Sequence, residues 1–279
     1  MKNKAFVFLR HVFLPSYAHL PLMLGLLLPL VVMQAGTLAG CSGTTASTAV
    51  SGSDRTFTVR GVTFVMKAVA GGTFRMGSDD GDADGKEKPV HSVTLPDYML
   101  GETEVTQELW QAVMGSNPSA FKGASHPVEK VLWSDCQAFI RKLNELTGER
   151  FRLPTEAEWE FAARGGSQSK GCQYAGSNAI DEVAWYRENS DSTTHDVKTK
   201  APNELGLYDM TGNVLEWCQD WYGSYPAAAQ TSPTGPATGT AHAFRGGSWF
   251  STAVFCRMTY RNYVAPSFSF NNLGFRLAQ

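Results

Sequence analysis

The chain has 279 residues, of which 43% are hydrophobic and 18% are charged, a composition typical of a globular protein rather than a disordered or fibrous one. It carries 24 Lys and Arg against 26 Asp and Glu, which gives a formal net charge of -2. The composition therefore argues against a nucleic-acid partner, because the chain has no excess of positive charge to neutralise phosphates.

Residues 1–40 are typical of a secretory signal, with three basic residues ahead of an apolar stretch at 20–33. The following L-A-G-C string resembles the lipobox of bacterial lipoproteins and predicts lipidation of Cys41, which would anchor the mature protein to a bacterial membrane. Prolines interrupt the apolar stretch and argue against the alternative, a transmembrane helix. Ser42 replaces the Asp that marks inner-membrane retention in some bacteria, which favours the outer membrane or the cell surface.

Residues 41–55 are rich in Ser, Thr, Gly and Ala, and we expect them to form a flexible tether. Residues 56–279 are dense in Gly and aromatic residues and show no repeat of fixed period. Clusters of β-forming residues predict strands at 58–65 and 90–95. We therefore expect a single α+β domain at 56–279.

Helices of this domain are predicted from their start and stop signals. The candidate N-terminal caps are Thr106, Ser134 or Asp135, and Thr155. The third helix is the clearest, because Glu158 completes a T-x-x-E capping box. Gly148 and Gly165 follow the second and third helices as stop signals.

Several chemistries are disfavoured because their motifs are absent from the sequence. There is no G-x-S-x-G elbow, no C-x-x-C, no H-E-x-x-H and no Walker loop. We expect no haem, flavin or nucleotide cofactor.

Four long strings in the second half of the chain carry a family resemblance. They are F-R-L-P-T-E-A-E-W-E-F-A-A-R-G-G at 151–166, N-E-L-G-L-Y-D-M-T-G-N-V-L-E-W-C at 203–218, R-G-G-S-W at 245–249 and N-L-G-F-R-L at 272–277. With them, residues 56–279 resemble the formylglycine-generating enzyme or sulfatase-modifying factor family. The resemblance implies a C-type-lectin-like α+β fold, low in regular secondary structure and stabilised by calcium.

The 203–218 string predicts a calcium site. The ligands that the resemblance implies are the side chains of Asp209 and Glu216 and the carbonyls of Gly212 and Val214. Carboxylate and carbonyl oxygens are the ligands that calcium prefers. In the alternative interpretation, Asp209 caps a turn and Glu216 pairs with an arginine such as Arg245 or Arg276.

The catalytic residues of the family are incomplete in this chain. Its formylglycine-generating enzymes hold Cu(I) through two cysteines that follow the G-G-S motif, and the matching positions are Ser251 and Cys256. A serine hydroxyl is a poor ligand for Cu(I), so we expect neither copper nor formylglycine synthesis, and Cys256 is catalytic only if the protein is an enzyme. Leu215 replaces an active-site Trp of the family. The cleft positions that the resemblance implies are Ser248, Trp249, Ser269 and Asn272.

The cysteines allow a competing interpretation. After lipidation of Cys41, three pairings are possible among Cys136, Cys172, Cys218 and Cys256. The family fold places the segments of Cys218 and Cys256 near each other, so the resemblance implies a disulfide between these two. Cys136 and Cys172 either pair or remain free.

Two functions follow from these observations. The first is a membrane-tethered, non-catalytic domain that binds a peptide, glycan or protein in its cleft. The rings available for such a cleft, about half of which we assign to the core, are Trp217, Trp221, Tyr222, Tyr225, Trp249, Tyr260 and Tyr263. The second is a copper-dependent oxidase that converts a sulfatase cysteine to formylglycine through Cys256. A titratable Cys256 thiol favours the second, and a disulfide to Cys218 excludes it.

Overall fold

The computed structural model describes residues 52–279, all of which belong to one compact unit. The predicted signal segment and the lipidation site Cys41 lie outside this range. No helix within residues 52–279 is long and apolar enough to cross a membrane. Short strands and helices separated by long loops confirm the expected α+β class with little regular secondary structure.

The elements between residues 52 and 279 are as follows. The strands are β1 (Arg55–Val59), β2 (Val62–Val69), β3 (Gly72–Met76), β4 (His91–Leu95), β5 (Tyr98–Gly101), β6 (Leu215–Trp221), β7 (Gln230–Thr231), β8 (His242–Arg245), β9 (Asn262–Val264) and β10 (Leu273–Gly274). The α-helices are α1 (Gln107–Met114), α2 (Trp133–Thr147), α3 (Glu156–Ala163) and α4 (Ile180–Val183).

The strands form three small sheets. Their strand orders are β1-β2-β5, β3-β4-β7 and β10-β6-β8-β9. In the third sheet β10 runs parallel to β6, with Leu273 opposite Leu215, and β8 runs antiparallel to β6, with Arg245 opposite Glu216. This sheet therefore places three motifs, from 203–218, 245–249 and 272–277, side by side.

The predicted strand at 58–65 is wrong in one respect, because it is a hairpin of β1 and β2. Arg60 and Gly61 both have positive φ, at 50° and 84°, which turns the chain back on itself. The predicted strand at 90–95 is confirmed as β4.

The predicted caps of α1 and α3 are confirmed. Thr106 accepts a hydrogen bond from the backbone N–H of Leu109 at the start of α1. At the start of α3, Thr155 Oγ1 accepts from Glu158 N, and Glu158 Oε2 accepts from Thr155 N at 2.9 Å. These local hydrogen bonds satisfy N–H groups that a helix N-terminus leaves without intrahelical partners.

Helix α2 begins one residue earlier than Ser134. Its N-cap is Leu132, and Asp135 is the third helical residue, whose carboxylate accepts from the backbone N–H of Leu132 at 3.0 Å. Asp135 is thus the partner of the cap rather than the cap itself. Gly148 ends the helix in the left-handed conformation, as predicted.

Helix α3 lies at the centre of the fold, and all eight of its residues are buried. Two of its three glutamates are paired with arginines from the C-terminal part of the chain. Glu156 accepts from Arg245 Nε at 2.8 Å and from Arg261, while Glu160 accepts from Arg245 Nη2 at 2.6 Å. Buried charges persist only when they are paired and hydrogen-bonded, so these contacts attach the C-terminal motifs to α3.

Candidate functional site

The G-G-S-W motif follows β8 as a tight turn. Gly246 and Gly247 have φ values of 98° and 72°, in the left-handed region that favours glycine. A Cβ atom on Gly247 would lie 2.5 Å from Cys256 Sγ, so only glycine fits against the sulfur. The turn therefore packs the motif onto Cys256, the position that the resemblance matches to a copper-binding cysteine.

Two of the predicted cleft residues lie in one polar network with Ser251. Ser248 Oγ lies 3.1 Å from Ser251 Oγ, and Asn272 Nδ2 donates to Ser248 Oγ at 3.1 Å. The Ser248 backbone N–H also donates to Ser251 Oγ. Because Ser248 is fully buried, this network holds the turn together rather than facing solvent.

The other two predicted cleft residues lie nearer the surface. Trp249 is 8% exposed, and its indole Nε1 donates to the carbonyl of Asn271 at 3.0 Å. Ser269 is half-buried between the exposed side chains of Phe268 and Phe270. The structure therefore brings Ser248, Trp249 and Asn272 to one place and leaves Ser269 on the loop beside them.

The thiol of Cys256 is free, fully buried and poorly suited to redox chemistry. It packs in a small hydrophobic cluster with Tyr174, Val183 and Tyr186. Burial raises the pKa of the thiol to about 12, and only a backbone hydrogen bond at Ser248 opposes this rise. Since the thiolate is both the nucleophile and the metal ligand, this sulfur lacks the activation that reactive cysteines have.

The predicted disulfide between Cys218 and Cys256 is wrong. Both residues are free thiols, and so is Cys136. Successive side chains of β6 point to opposite faces, so Trp217 packs beside α1 and α2 while Cys218 packs in the cluster that holds Trp159 of α3. Cys256 belongs to a third cluster, so the two sulfurs do not face each other.

The donor groups at 251 and 256 do not match a Cu(I) site. Ser251 offers a hydroxyl that is already hydrogen-bonded to Ser248, and Cys256 offers a protonated, buried thiol. Cu(I) prefers soft thiolate or thioether ligands. The chemistry of this donor set therefore disagrees with the copper site of the family's oxidases.

Glu216 is engaged in a buried ion pair, as the alternative interpretation of the 203–218 string proposed. Arg276 Nη2 donates to Glu216 Oε1 at 2.6 Å, and Arg276 Nε donates to Oε2 at 2.6 Å. Trp159 Nε1 donates to the same Oε2 at 2.7 Å. Both carboxylate oxygens are thus already in use, and all three side chains are fully buried.

Two further carboxylates face this pair and leave the region with excess negative charge. Glu104 is buried and accepts from the backbone N–H of Val214 at 2.9 Å, and Asp209 accepts from the backbone N–H of Lys198. Burial raises the pKa of Asp209 to about 6, with a further contribution from the charge of Glu216. Burial, followed by the charge of Asp209, likewise raises the pKa of Glu104.

This charge favours a cation, but side chains alone do not form a metal site. Residues 52–279 contain no group of three or more His, Cys, Asp or Glu that is placed to hold a metal ion. A cation at this segment would need main-chain ligands as well, as the sequence predicts for Gly212 and Val214. The residues therefore fit calcium by charge and oxygen type, and of the two predicted carboxylate ligands Asp209, unlike Glu216, forms no ion pair.

Large apolar side chains are exposed almost entirely in one segment, 250–270. Of the seven exposed large hydrophobic residues between 52 and 279, one is Leu146 and the other six define what we call the C-terminal apolar surface: Phe250, Val254, Phe255, Tyr263, Phe268 and Phe270. Phe250 and Phe268 are 56% and 52% exposed. Phe268 stacks on Phe270, with ring centroids 6.1 Å apart.

The segment that forms this surface contributes no exposed charge of its own, although the exposed Arg187 lies with its guanidinium 4.8 Å from the centroid of the Phe250 ring. Residues 246–279 include no Asp, Glu or Lys, and their three arginines, Arg257, Arg261 and Arg276, are all buried. Polar groups come instead from Ser, Thr, Asn and Tyr.

A pocket of about 410 Å³ opens beside the polar network. It is lined mainly by apolar side chains, including Leu215, Phe244, Trp249, Phe250 and Phe270, together with Asn271 and Asn272. Leu215, which replaces the Trp of the family's active site, contributes to the wall of this pocket.

Of the rings that we considered for the cleft, one belongs to the C-terminal apolar surface. Tyr263 is 45% exposed, whereas Trp217 is fully buried and Tyr225 is 9% exposed, so the latter two belong to the core. The exposed phenylalanines were missed, because apolar residues in an irregular loop show no periodicity that reveals which of them face solvent.

Comparisons with known proteins agree with this architecture. A family model described as the sulfatase-modifying factor enzyme 1-like domain matches residues 57–279. Over 233 residues the chain is 36% identical to the chaperone protein LppX of Paenibacillus barcinonensis. This match covers 66% of this chain and 79% of that protein. Over 281 residues the chain is 32% identical to the formylglycine-generating enzyme of Streptomyces coelicolor. This match covers 75% of this chain and 87% of that enzyme.

A solved structure supports the same assignment. Treponema denticola variable protein 1 is 38% identical and superposes with a TM-score of 0.75, covering 81% of this chain and 98% of that one. The match of the family model to nearly the whole described range, together with these relatives, establishes the family. The chain belongs to the sulfatase-modifying factor enzyme 1-like family, to which the formylglycine-generating enzymes are similar in sequence.

Proposed function

We propose that this protein is a binding protein that holds a protein ligand on the C-terminal apolar surface. The observation that carries the proposal is that six of the seven exposed large hydrophobic side chains lie in residues 250–270, and that three of them adjoin: Phe250 and Phe270 line one pocket, and Phe268 stacks on Phe270. Exposed apolar patches on soluble domains mark interaction sites, and large rings dominate the energetics of such interfaces.

The character of the surface favours a protein over the other ligand classes. Arg187, which stacks on Phe250, is one cation rather than the cluster of basic groups through which a surface attracts nucleic acid or acidic glycans. The mixture of aromatic rings with Ser and Asn on the C-terminal apolar surface resembles the composition of antibody paratopes, which adapt to protein surfaces. The name of one relative, the chaperone protein LppX, is in keeping with a protein ligand.

We also infer that the chain does not synthesise formylglycine, although a relative is named for that activity. Ser251 replaces one of the two copper-binding cysteines, and the remaining thiol of Cys256 is buried and protonated. A peptide with the sulfatase C-x-P-x-R motif, incubated in air with the reduced protein and Cu(I), should keep its cysteine by mass spectrometry. Conversion to the aldehyde would establish the oxidase instead.

Binding is tested with a displayed peptide library panned against the folded protein. We expect enriched peptides to bind the wild type and Leu146→Ser with equal affinity, because Leu146 is the exposed apolar residue outside the surface. Phe250→Ser and Phe270→Ser should each weaken binding about tenfold or more, the loss of a central aromatic contact. Equal affinity for all four proteins contradicts the proposal, and so does selective binding to a glycan array.

Export and anchoring complete the proposal. We infer that residues 1–40 direct secretion and that Cys41 is lipidated, which holds the domain at the outer membrane or cell surface. Metabolic labelling with a palmitate analogue should mark the wild type and Ser42→Ala but not Cys41→Ser. Protease treatment of intact cells then distinguishes the cell surface from the periplasm.

Calcium is a further part of the proposal. A bound ion would be held by Asp209 and by the carbonyls of Gly212 and Val214, with Glu216 beside it. It would offset the excess negative charge of the buried carboxylates and so stabilise the segment that leads into β6.

A further inference from the structure

The structure has a second pocket, of about 440 Å³. It is bounded by the end of β6, by the first residues of α3 and by the Pro-rich loop at 222–241. None of the residues that line the 410 Å³ pocket contributes to it. Its chemistry is therefore independent of the binding surface proposed above.

One wall of this pocket carries an unpaired carboxylate. Asp220 is 5% exposed, and its Oδ2 accepts from the backbone N–H of Glu156 at 2.9 Å. None of the ion pairs formed between residues 52 and 279 includes Asp220. Burial, followed by the charge of Glu156, raises the pKa of Asp220 to about 7. A nearly buried carboxyl without a cationic partner is unusual, because buried charges are normally paired.

A second acceptor lines the same pocket. His91 is 3% exposed, and its Nδ1 lies 3.1 Å from the carbonyl of Pro89. A carbonyl only accepts, so Nδ1 is the donor, and in the tautomer that carries its proton there Nε2 presents a lone pair. No residue between 52 and 279 hydrogen-bonds to that Nε2. The pocket therefore offers two unused acceptors.

The positive charge in the lining is already neutralised. Arg261 donates from Nε and Nη2 to the two oxygens of Glu156, at 2.7 and 2.5 Å, and from Nη1 to the carbonyl of Gly223. An anionic ligand would therefore find no free cation in this wall. Glu156 accepts from the buried Arg245 as well, so the charge of the lining that no arginine neutralises is that of Asp220.

We propose that this pocket binds a small organic cation, whose ammonium group pairs with the Asp220 carboxylate while a second donor of the ligand reaches His91 Nε2. The prolines of the rim, among them Pro226 and Pro236, supply apolar contact for a short carbon chain. The pocket volume suits a ligand of this size, which is smaller than a typical drug molecule.

The test compares three molecules that share a four-carbon chain: 1,4-diaminobutane, butane-1,4-diol and succinate. Titration of the folded, isotopically labelled protein by NMR is expected to shift the amides of Ser224 and Gly235 with the diamine. The diol should bind about tenfold more weakly or less, and succinate should not bind, because only the diamine provides a charge opposite to that of Asp220. Equal binding of diol and diamine, preferential binding of succinate, or no shift with any of the three overturns the proposal.

Variants locate the interaction. Asp220→Asn retains an oxygen for the backbone N–H of Glu156 and should lose diamine affinity about tenfold or more, whereas Asp79→Asn, at an exposed carboxylate, should bind like the wild type. His91→Asn provides a second variant, for which we expect a smaller loss. Phe250→Ser should leave diamine binding unchanged, so failure of this proposal is distinguishable from failure of the protein-binding surface. Unchanged affinity in Asp220→Asn contradicts the assignment.

Discussion

Gly247 and Cys256 are in direct contact, with no space for a side chain between the glycine and the sulfur. A Cβ atom at Gly247 would lie 2.5 Å from Sγ and 2.9 Å from the Cα of Cys256. The G-G-S-W motif thus covers the one cysteine that remains of the family's catalytic pair. This contact explains why the free thiol of Cys256 is a packing group.

Thiol accessibility tests this arrangement. We expect iodoacetamide to leave Cys136, Cys218 and Cys256 unmodified in the native protein and to alkylate all three after unfolding, because each is buried. Peptide mapping by mass spectrometry identifies the labelled residues. Rapid native labelling of Cys256, or a peptide linked through Cys218 and Cys256, would contradict the structure.

Gly247→Ala should lower the free energy of unfolding by about 1–3 kcal/mol beyond the cost of its positive φ, because the added methyl group overpacks the sulfur. Gly115→Ala is the matched control, since Gly115 has φ of 84° and nothing within 4 Å of an added Cβ. Denaturant unfolding of both variants separates the steric cost from the backbone cost. Equal destabilisation would show that the sulfur moves away freely.

Glu216→Gln should cost about 3–5 kcal/mol of unfolding free energy, because it leaves Arg276 buried and without its counter-charge. Glu102→Gln is the control, since its partner Lys198 is 43% exposed and such pairs contribute below about 1 kcal/mol. Both measurements should be made in EDTA, which removes any contribution of a bound metal. Similar losses for the two variants would argue against a buried ion pair at Glu216.

Calcium should raise the melting temperature of the wild type, and EDTA should reverse the change, if the ion binds the folded state alone. Asp209→Asn should abolish the response, because it removes the predicted carboxylate ligand that forms no ion pair. Asp79→Asn, at an exposed carboxylate, should retain the response. An identical melting temperature of the wild type with calcium and with EDTA would contradict the proposed site.

Stability should depend on pH through Asp220. Its pKa is about 7 in the folded protein, because burial and then the charge of Glu156 oppose ionisation, and 3.8 is its ordinary value. The folded state binds the proton more tightly, so the stabilisation is fully present below about pH 4 and is lost as the pH rises through 7.

We therefore expect the difference in unfolding free energy between wild type and Asp220→Asn to change by up to about 1.4 kcal/mol per pH unit in this window. The groups that raise this pKa lie on α3, namely Glu156 and Glu158, and both remain in the variant. Asp79→Asn should run parallel to the wild type across the same pH range. A parallel curve for Asp220→Asn would show that this carboxyl titrates normally.

Local features were predictable from the sequence because local hydrogen bonds determine them. Thr155 and Glu158 lie three residues apart and complete each other's bonds in the first turn of α3, so no distant residue is needed to start the helix. Gly148 likewise ends α2 through its own left-handed conformation. The family was recognisable for a related reason, since its motifs are contiguous strings.

Only the tertiary structure decided the contacts between residues that are far apart in the chain. The sequence left Glu216 with either calcium or an arginine, and the parallel pairing of β10 with β6 brings Arg276 onto it. The family resemblance implied a disulfide between Cys218 and Cys256. Because side chains alternate along β6, Cys218 instead packs in a different cluster from Cys256. Packing between distant segments also decides which loop phenylalanines face solvent. It likewise places Asp220 in a pocket whose guanidinium, that of Arg261, is paired with Glu156.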